Sequence, residues 1–107
     1  MTKERNETTS KKEGALFITF GSYLDGLRSH EGQLPPERRR EVPTIRSLAK
    51  SVGIHEVTLT NIANGNIKHL DLVKAKHILD EMRRRGFAME LTDFIKYIPP
   101  EIEHVSP

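Results

Sequence analysis

Residues 45–64 read Ile45-Arg46-Ser47-Leu48-Ala49-Lys50-Ser51-Val52-Gly53-Ile54-His55-Glu56-Val57-Thr58-Leu59-Thr60-Asn61-Ile62-Ala63-Asn64. The apolar residues stand at the spacing of two short helices, with Gly53 at the bend. Ala49 is small where two crossing helices would come closest. This pattern predicts a helix-turn-helix, whose second helix can enter the DNA major groove. Thr44 offers a side-chain oxygen to cap the first helix, about residues 45–51. Val52-Gly53-Ile54 forms the turn, because a helix C-cap commonly takes positive φ and glycine does so freely. The second helix is expected over about 55–63. It ends at Asn64-Gly65-Asn66, residues that tolerate left-handed backbone.

Upstream, Leu16, Phe17, Phe20, Leu24 and Leu27 fall at helical spacing and predict a first helix from Ala15 to about Ser29. Gly21 and Gly26 oppose that reading, and Ala15–Phe20 taken alone also fits a strand. Gly32 to Pro43 reads as a loop, since Pro35-Pro36 and Pro43 exclude a continuous helix. The intervening Pro36-Glu37-Arg38-Arg39-Arg40-Glu41 has room for one helical turn. Downstream, a fourth helix is expected over about 70–84, with Leu72, Ala75, Ile78, Leu79 and Met82 as its buried stripe and Gly86 as its stop. Thr92 then caps a short fifth helix, Asp93 to Tyr97, before Pro99-Pro100. No strand pattern outcompetes the helical one. The expected fold is all-α: a compact five-helix domain over 14–98, a flexible polar arm at 1–13 and a short tail at 99–107.

A hydrophobic fraction of 36% and a charged fraction of 30% fit one small soluble domain with a modest core. Such a core leaves a narrow stability margin that a partner subunit would widen. No apolar run is long enough to span a bilayer. The first fourteen residues lack the apolar stretch of a secretory signal. With no cysteine there is no disulfide framework and no thiolate metal site. The location expected is the cytoplasm, in association with the nucleoid. The net charge is +2 and the pI about 9.0, only mildly basic, so the distribution of charge matters more than the sum. Basic residues gather at Lys11-Lys12, Arg38-Arg39-Arg40 and Arg83-Arg84-Arg85. Each cluster taken alone reads first as a solvated surface.

On the second helix of the motif, at 100° per residue, Leu59 and Ile62 point to one side, with His55 and Thr58 near them. Glu56, Val57, Thr60, Asn61 and Asn64 gather on the other. The outward side chains are short, with no Lys or Arg, which lets a helix sit deep against base edges. Asn61 can bond adenine N6 and N7 together, Glu56 can accept from cytosine N4, and Val57 can pack on a thymine methyl. Thr58, Thr60 and Asn64 can bond phosphate oxygens and fix the register. Three of these have equally plain structural uses. Glu56 lies in a first turn, where an acid favours the helix dipole. Val57 can be a lone exposed apolar residue, and Asn64 can simply serve the turn. Lys68 and His69, just beyond the helix, are either phosphate contacts or plain surface.

The stretch resembles the phage-repressor, Cro-like helix-turn-helix family of bacterial and phage regulators (the lambda-repressor-like, XRE-type proteins). The likeness is carried by Leu48-Ala49, Val52-Gly53-Ile54, Leu59, Ile62 and Asn64-Gly65, with Phe20-Gly21, Leu24, Leu27 and Arg28 upstream and Leu79–Phe94 downstream. It covers about residues 16–98. It implies a five-helix domain, usually a homodimer on a palindromic operator, with Glu56, Val57, Thr60 and Asn61 at positions that touch DNA. Two features depart from the family. Residues 35–43 look inserted between the first and second helices. Ile45 stands where many members carry a polar phosphate contact, which leaves that contact to Thr44 or to backbone N–H groups. Arg38, Arg39 and Arg40 are the candidates to supply the missing phosphate attraction from the inserted loop.

The segment after Gly86 is apolar beyond what a short fifth helix must hide. Phe87, Met89, Leu91, Phe94, Ile95 and Tyr97 are therefore the expected dimerisation surface. The other reading is that they pack back on the first helix. Five histidines are present, none paired at i, i+4, so no metal site is expected, and no cofactor. No phosphate-binding glycine loop, nucleophile elbow or spaced carboxylate pair points to catalysis. The expected function is a sequence-specific regulator on double-stranded DNA, acting as a repressor. Control then comes from protein level, degradation or a regulatory partner protein. An antitoxin-like module that holds a partner protein is the alternative, and its signature would be a long amphipathic tail. A sequence-blind architectural binder would need denser Lys and Arg.

Overall fold

The computed structural model describes residues 13–100. The expected arm therefore lies, but for Glu13, outside the described residues, as does most of the tail. Five α-helices and one two-stranded sheet make up the fold. In chain order they are β1 (Ala15–Ile18), α1 (Phe20–Gly32), α2 (Ile45–Val52), α3 (Glu56–Ala63), α4 (Leu72–Arg84), α5 (Leu91–Phe94) and β2 (Ile95–Ile98). A single 3-10 turn, Pro36–Arg38, fills the place foreseen for one helical turn in the loop.

The all-α expectation is corrected by the sheet. β1 and β2 pair antiparallel, with Ala15 opposite Ile98, Leu16 opposite Tyr97, Phe17 opposite Lys96 and Ile18 opposite Ile95. Both ends of the expected helical domain are thus extended. Ile18, Thr19, Ile95, Tyr97 and Ile98 are β-branched or aromatic and suit a pleated ladder. Thr19 ends β1: its N–H donates to the Phe94 carbonyl at 2.8 Å and its hydroxyl to the Asp93 carbonyl at 2.9 Å. The first helix therefore starts at Phe20 rather than Ala15. The fifth is a four-residue turn, capped where the Glu90 N–H donates to the Asp93 carboxylate, not an Asp93–Tyr97 helix capped by Thr92.

The core is built from Phe20, Leu24, Leu48, Leu59, Ile78, Met82, Phe87, Met89 and Phe94, all fully buried. The Phe20 and Phe94 rings lie 5.4 Å apart, tilted by 52°, which joins the start of α1 to α5. Phe87, Met89 and Phe94 thus belong to the chain's own core and have no surface to offer a second copy, a correction to the dimerisation set. Ile95 is half-buried, while Leu91 and Tyr97 are exposed. Leu72 is also corrected. It is 73% exposed, because Asp71 caps α4 through the Val73 and Lys74 N–H groups and leaves Leu72 on the outer side of the first turn. Ala75, Ile78 and Met82 form the buried stripe, with Leu79 half-buried.

Glycine matters most at Gly21. A Cβ there would stand 2.6 Å from the Ala63 carbonyl oxygen. The residue that weakens the helical reading of the first segment is the one that lets α1 back onto the end of α3.

The inserted loop is held by its arginines. The Arg40 backbone N–H donates to Glu31 at 2.6 Å, and its guanidinium reaches the same carboxylate at 2.8 Å and the Gly86 carbonyl at 2.6 Å. The guanidinium also lies 4.3 Å over the Phe87 ring. Arg39 donates to the carbonyls of Leu34 and Gly32. Backbone and side-chain hydrogen bonds from Arg40 hold the buried Glu31 carboxyl below its usual range. Arg83-Arg84-Arg85 works similarly. Arg83 bonds the Met89 carbonyl and Glu90, Arg84 and Arg85 converge on Glu81, and Arg85 reaches Ser51 of α2. Arg39, Arg40 and Arg83–Arg85 thus hold the chain together rather than merely face solvent, while Arg38 stays exposed and Lys11-Lys12 lie outside the described residues.

Candidate nucleic-acid interface

The two helices expected between residues 45 and 64 are α2 and α3. Thr44 caps α2 by accepting the Ser47 N–H at 3.1 Å. Gly53 ends it in the left-handed region, φ 86°, with its N–H on the Ala49 carbonyl at 2.8 Å. Leu48 and Ala49 turn into the core and meet Leu59, Ile62 and Ala63 of α3. α2 packs against both α3 and α4, and α1 supports α3 from behind. The orientation of α3 is thereby fixed by its neighbours, so its outward residues stand in one place.

Those outward residues fall largely where the helical spacing predicts. Glu56, Val57 and Asn64 are exposed, Thr58, Thr60 and Asn61 are half-buried, and Leu59 and Ile62 are buried. His55 occupies the N-cap position, where its side chain makes no capping bond. Val57 is 70% exposed, the environment of a residue waiting for a contact or of a lone surface valine. Asn61 spends its backbone carbonyl on the Asn66 N–H at 2.8 Å. Among the described residues its side-chain amide makes no hydrogen bond, which leaves a planar donor–acceptor pair free on the outer side. Gly65, φ 73°, turns the chain away after α3.

Glu56 has a partner the sequence reading did not find. The Arg46 Nε donates to its carboxylate at 3.2 Å, across the gap between the first turns of α2 and α3. Arg46 keeps 81% of its side chain exposed and Glu56 49%. An exposed pair of this kind contributes at most about 1 kcal/mol, so Arg46 is free to exchange it for a phosphate. Lys50 lies one turn further along α2 and, like Lys68 beyond α3, is exposed with no ion pair among the described residues. The signal for the first two was present in the sequence as a basic i, i+4 pair flanking the buried Leu48-Ala49.

The three loop arginines are placed differently. Arg40 commits its Nε and both terminal nitrogens to Glu31 and Gly86, so it is not a phosphate contact. Arg39 spends two donors on the loop's own backbone. Arg38 is exposed and makes no side-chain bond among the described residues.

Among the described residues no cluster of three or more His, Asp or Glu side chains is placed to hold a metal ion, and no helix is long and apolar enough to cross a membrane. Comparison of the chain with family models, with curated proteins and with solved structures finds no match.

Proposed function

We propose that this chain is a sequence-specific regulator of transcription, a repressor of the Cro-like helix-turn-helix kind. In this reading it seats α3 in the major groove of double-stranded DNA, as a homodimer on a palindromic site. The observation that carries the proposal is the outer side of α3. Short side chains there include the free amide of Asn61, and the exposed cations Arg46 and Lys50 on α2 and Lys68 beyond α3 flank it. Asn61 reads a base edge, Val57 meets a thymine methyl, and the flanking cations take phosphates. Glu56 holds Arg46 in the free protein. Thr44, Thr58, Thr60 and Asn64 supply further hydroxyl and amide contacts to the backbone.

The test is selection. Purified protein is incubated with fragmented DNA from its own source, and the fragments retained at physiological salt are sequenced. An enriched palindrome with half-sites about 10 base pairs apart supports the proposal. Retention without a motif, lost steeply as salt is added, would replace it with sequence-blind binding. No retention would refute DNA binding and bring the antitoxin-like reading forward.

A further inference from the structure

β1 has an outer edge to which no strand of the described residues pairs; its other edge pairs with β2. Proteins usually protect such an edge with a charge, a proline or a bulge. Ala15-Leu16-Phe17-Ile18 carries no charge and no proline, and its ladder to β2 runs without a bulge. β2 is guarded instead, with Lys96 inside it and Pro99-Pro100 directly after.

The sheet is only partly covered: Ile18 and Ile95 pack against the core, while its other apolar side chains stay largely in water. By two-residue alternation Leu16 and Tyr97 stand opposite one another on one face, and Phe17 and Ile98 share the other. They are 66%, 59%, 50% and 47% exposed. A two-stranded sheet of four-residue strands with so little of it covered is marginal in water.

We infer that β1 pairs antiparallel with β1 of a second copy, giving a four-stranded sheet in the order β2-β1-β1-β2. The second copy is chosen over a foreign strand on charge and symmetry. An uncharged edge meets its own copy without repulsion, and an antiparallel strand pair is closed by a two-fold axis normal to the sheet. That axis sets Leu16 or Phe17 opposite its own copy. Pairing also doubles the number of strands and brings the exposed apolar side chains of both copies together. The sheet lies beside the end of α3: the Gly65 Cβ position is 3.7 Å from Ile18. The inference gives the homodimer of the proposed function its interface, and its test uses no DNA.

The chain has no cysteine, so a single introduced thiol reports on one position. Phe17→Cys and Leu16→Cys are oxidised in separate preparations, with Leu72→Cys, equally exposed on α4, as the control. A covalent dimer from a β1 variant and none from the control is the result expected. In parallel, solution mass is measured over a concentration series for the unmodified protein and for Phe17→Asp, with circular dichroism to check folding. The unmodified protein should double in mass and folded Phe17→Asp should stay monomeric. A protein that is monomeric throughout, a dimer indifferent to Phe17→Asp, or β1 thiols that link no better than the control would overturn the inference. If the β1 dimer forms while DNA selection fails, the interface stands and the DNA reading falls.

Discussion

In the proposed complex Asn61 and Arg46 share one surface but have different roles, and single substitutions separate them. Asn61→Ala removes a bidentate donor–acceptor, so it should cost about 1–3 kcal/mol of preference at one base pair and leave the salt dependence alone. Arg46→Ala should weaken binding to every sequence alike and lower the slope of log affinity against log salt by about 1. Titrations on the selected site and its single-base variants, at several salt concentrations, distinguish the two. Equal loss on all sequences for Asn61→Ala would remove it from base reading. The glycines of α1 give a second contrast. Gly21→Ala forces a Cβ to within 2.6 Å of the Ala63 carbonyl oxygen and should destabilise by about 1–3 kcal/mol. Gly26→Ala meets nothing within 4 Å and should stabilise by about 0.4–1 kcal/mol. Thermal unfolding of both variants checks the pair, and equal melting temperatures would show that α1 does not back onto α3 as described.

At the scale of elements, α4 is tied to its surroundings through Glu81. The Arg84 guanidinium, ahead of the opposing effect of burial and with help from Arg85, lowers the Glu81 carboxyl from 4.5 to about 2. A carboxyl depressed on folding stabilises the native state above its unfolded value, and that contribution fades as pH falls from about 4.5 toward 2. Glu31, depressed by its bonds from Arg40, adds to the loss in the same direction. Glu81→Gln should therefore be less stable than the unmodified protein at neutral pH, with the difference vanishing near pH 2. Chemical denaturation at a series of pH values tests this, and a pH-independent difference would count against it. The elements also show what the sequence could and could not convey. α2, Gly53 and α3 were legible because capping, a left-handed glycine and the helical period all agree locally. The sheet was not, because Leu16, Phe17 and Phe20 satisfy a helical period and their true partner lies some eighty residues away. The arginine clamps were invisible for the same reason: Arg40 reads as surface until Glu31, Gly86 and Phe87 are brought around it. The outer side of α3 was largely legible, while Arg46 emerged only once the first turns of two helices were set side by side.

For the whole molecule, the 17 basic side chains are nearly balanced by 15 acidic ones, and many of the cations among the described residues are committed to intramolecular pairs. Among the described residues Arg28, Arg40, Arg46, Lys74, Lys76, Arg83, Arg84 and Arg85 are paired with carboxylates of the same chain, Arg46 through its exposed bond to Glu56 alone. In the proposed complex Arg46, released from Glu56, with Lys50 and Lys68 are the cations of the described residues placed on or directly after the two motif helices to meet phosphate. Each neutralised phosphate contributes about −0.9 to the slope of log affinity against log salt. Three contacts per protomer give a slope of roughly −3 for one half-site and twice that for a dimer. Affinity of this origin is modest, so the proposed regulator would have to find its site through base contacts rather than through charge. Arg40→Ala should leave the slope unchanged, because its donors are spent on Glu31 and Gly86, whereas Arg38, exposed and unbonded among the described residues, is the loop arginine able to add to it. Arg40→Ala should instead lower the melting temperature, since it strips the partner from buried Glu31. Titration across a salt series measures the slope directly. A value near −3 per protomer fits a reader of sequence held by few phosphates. A much steeper slope that flattens with Arg38→Ala would return the inserted loop to the DNA surface and favour binding without sequence choice.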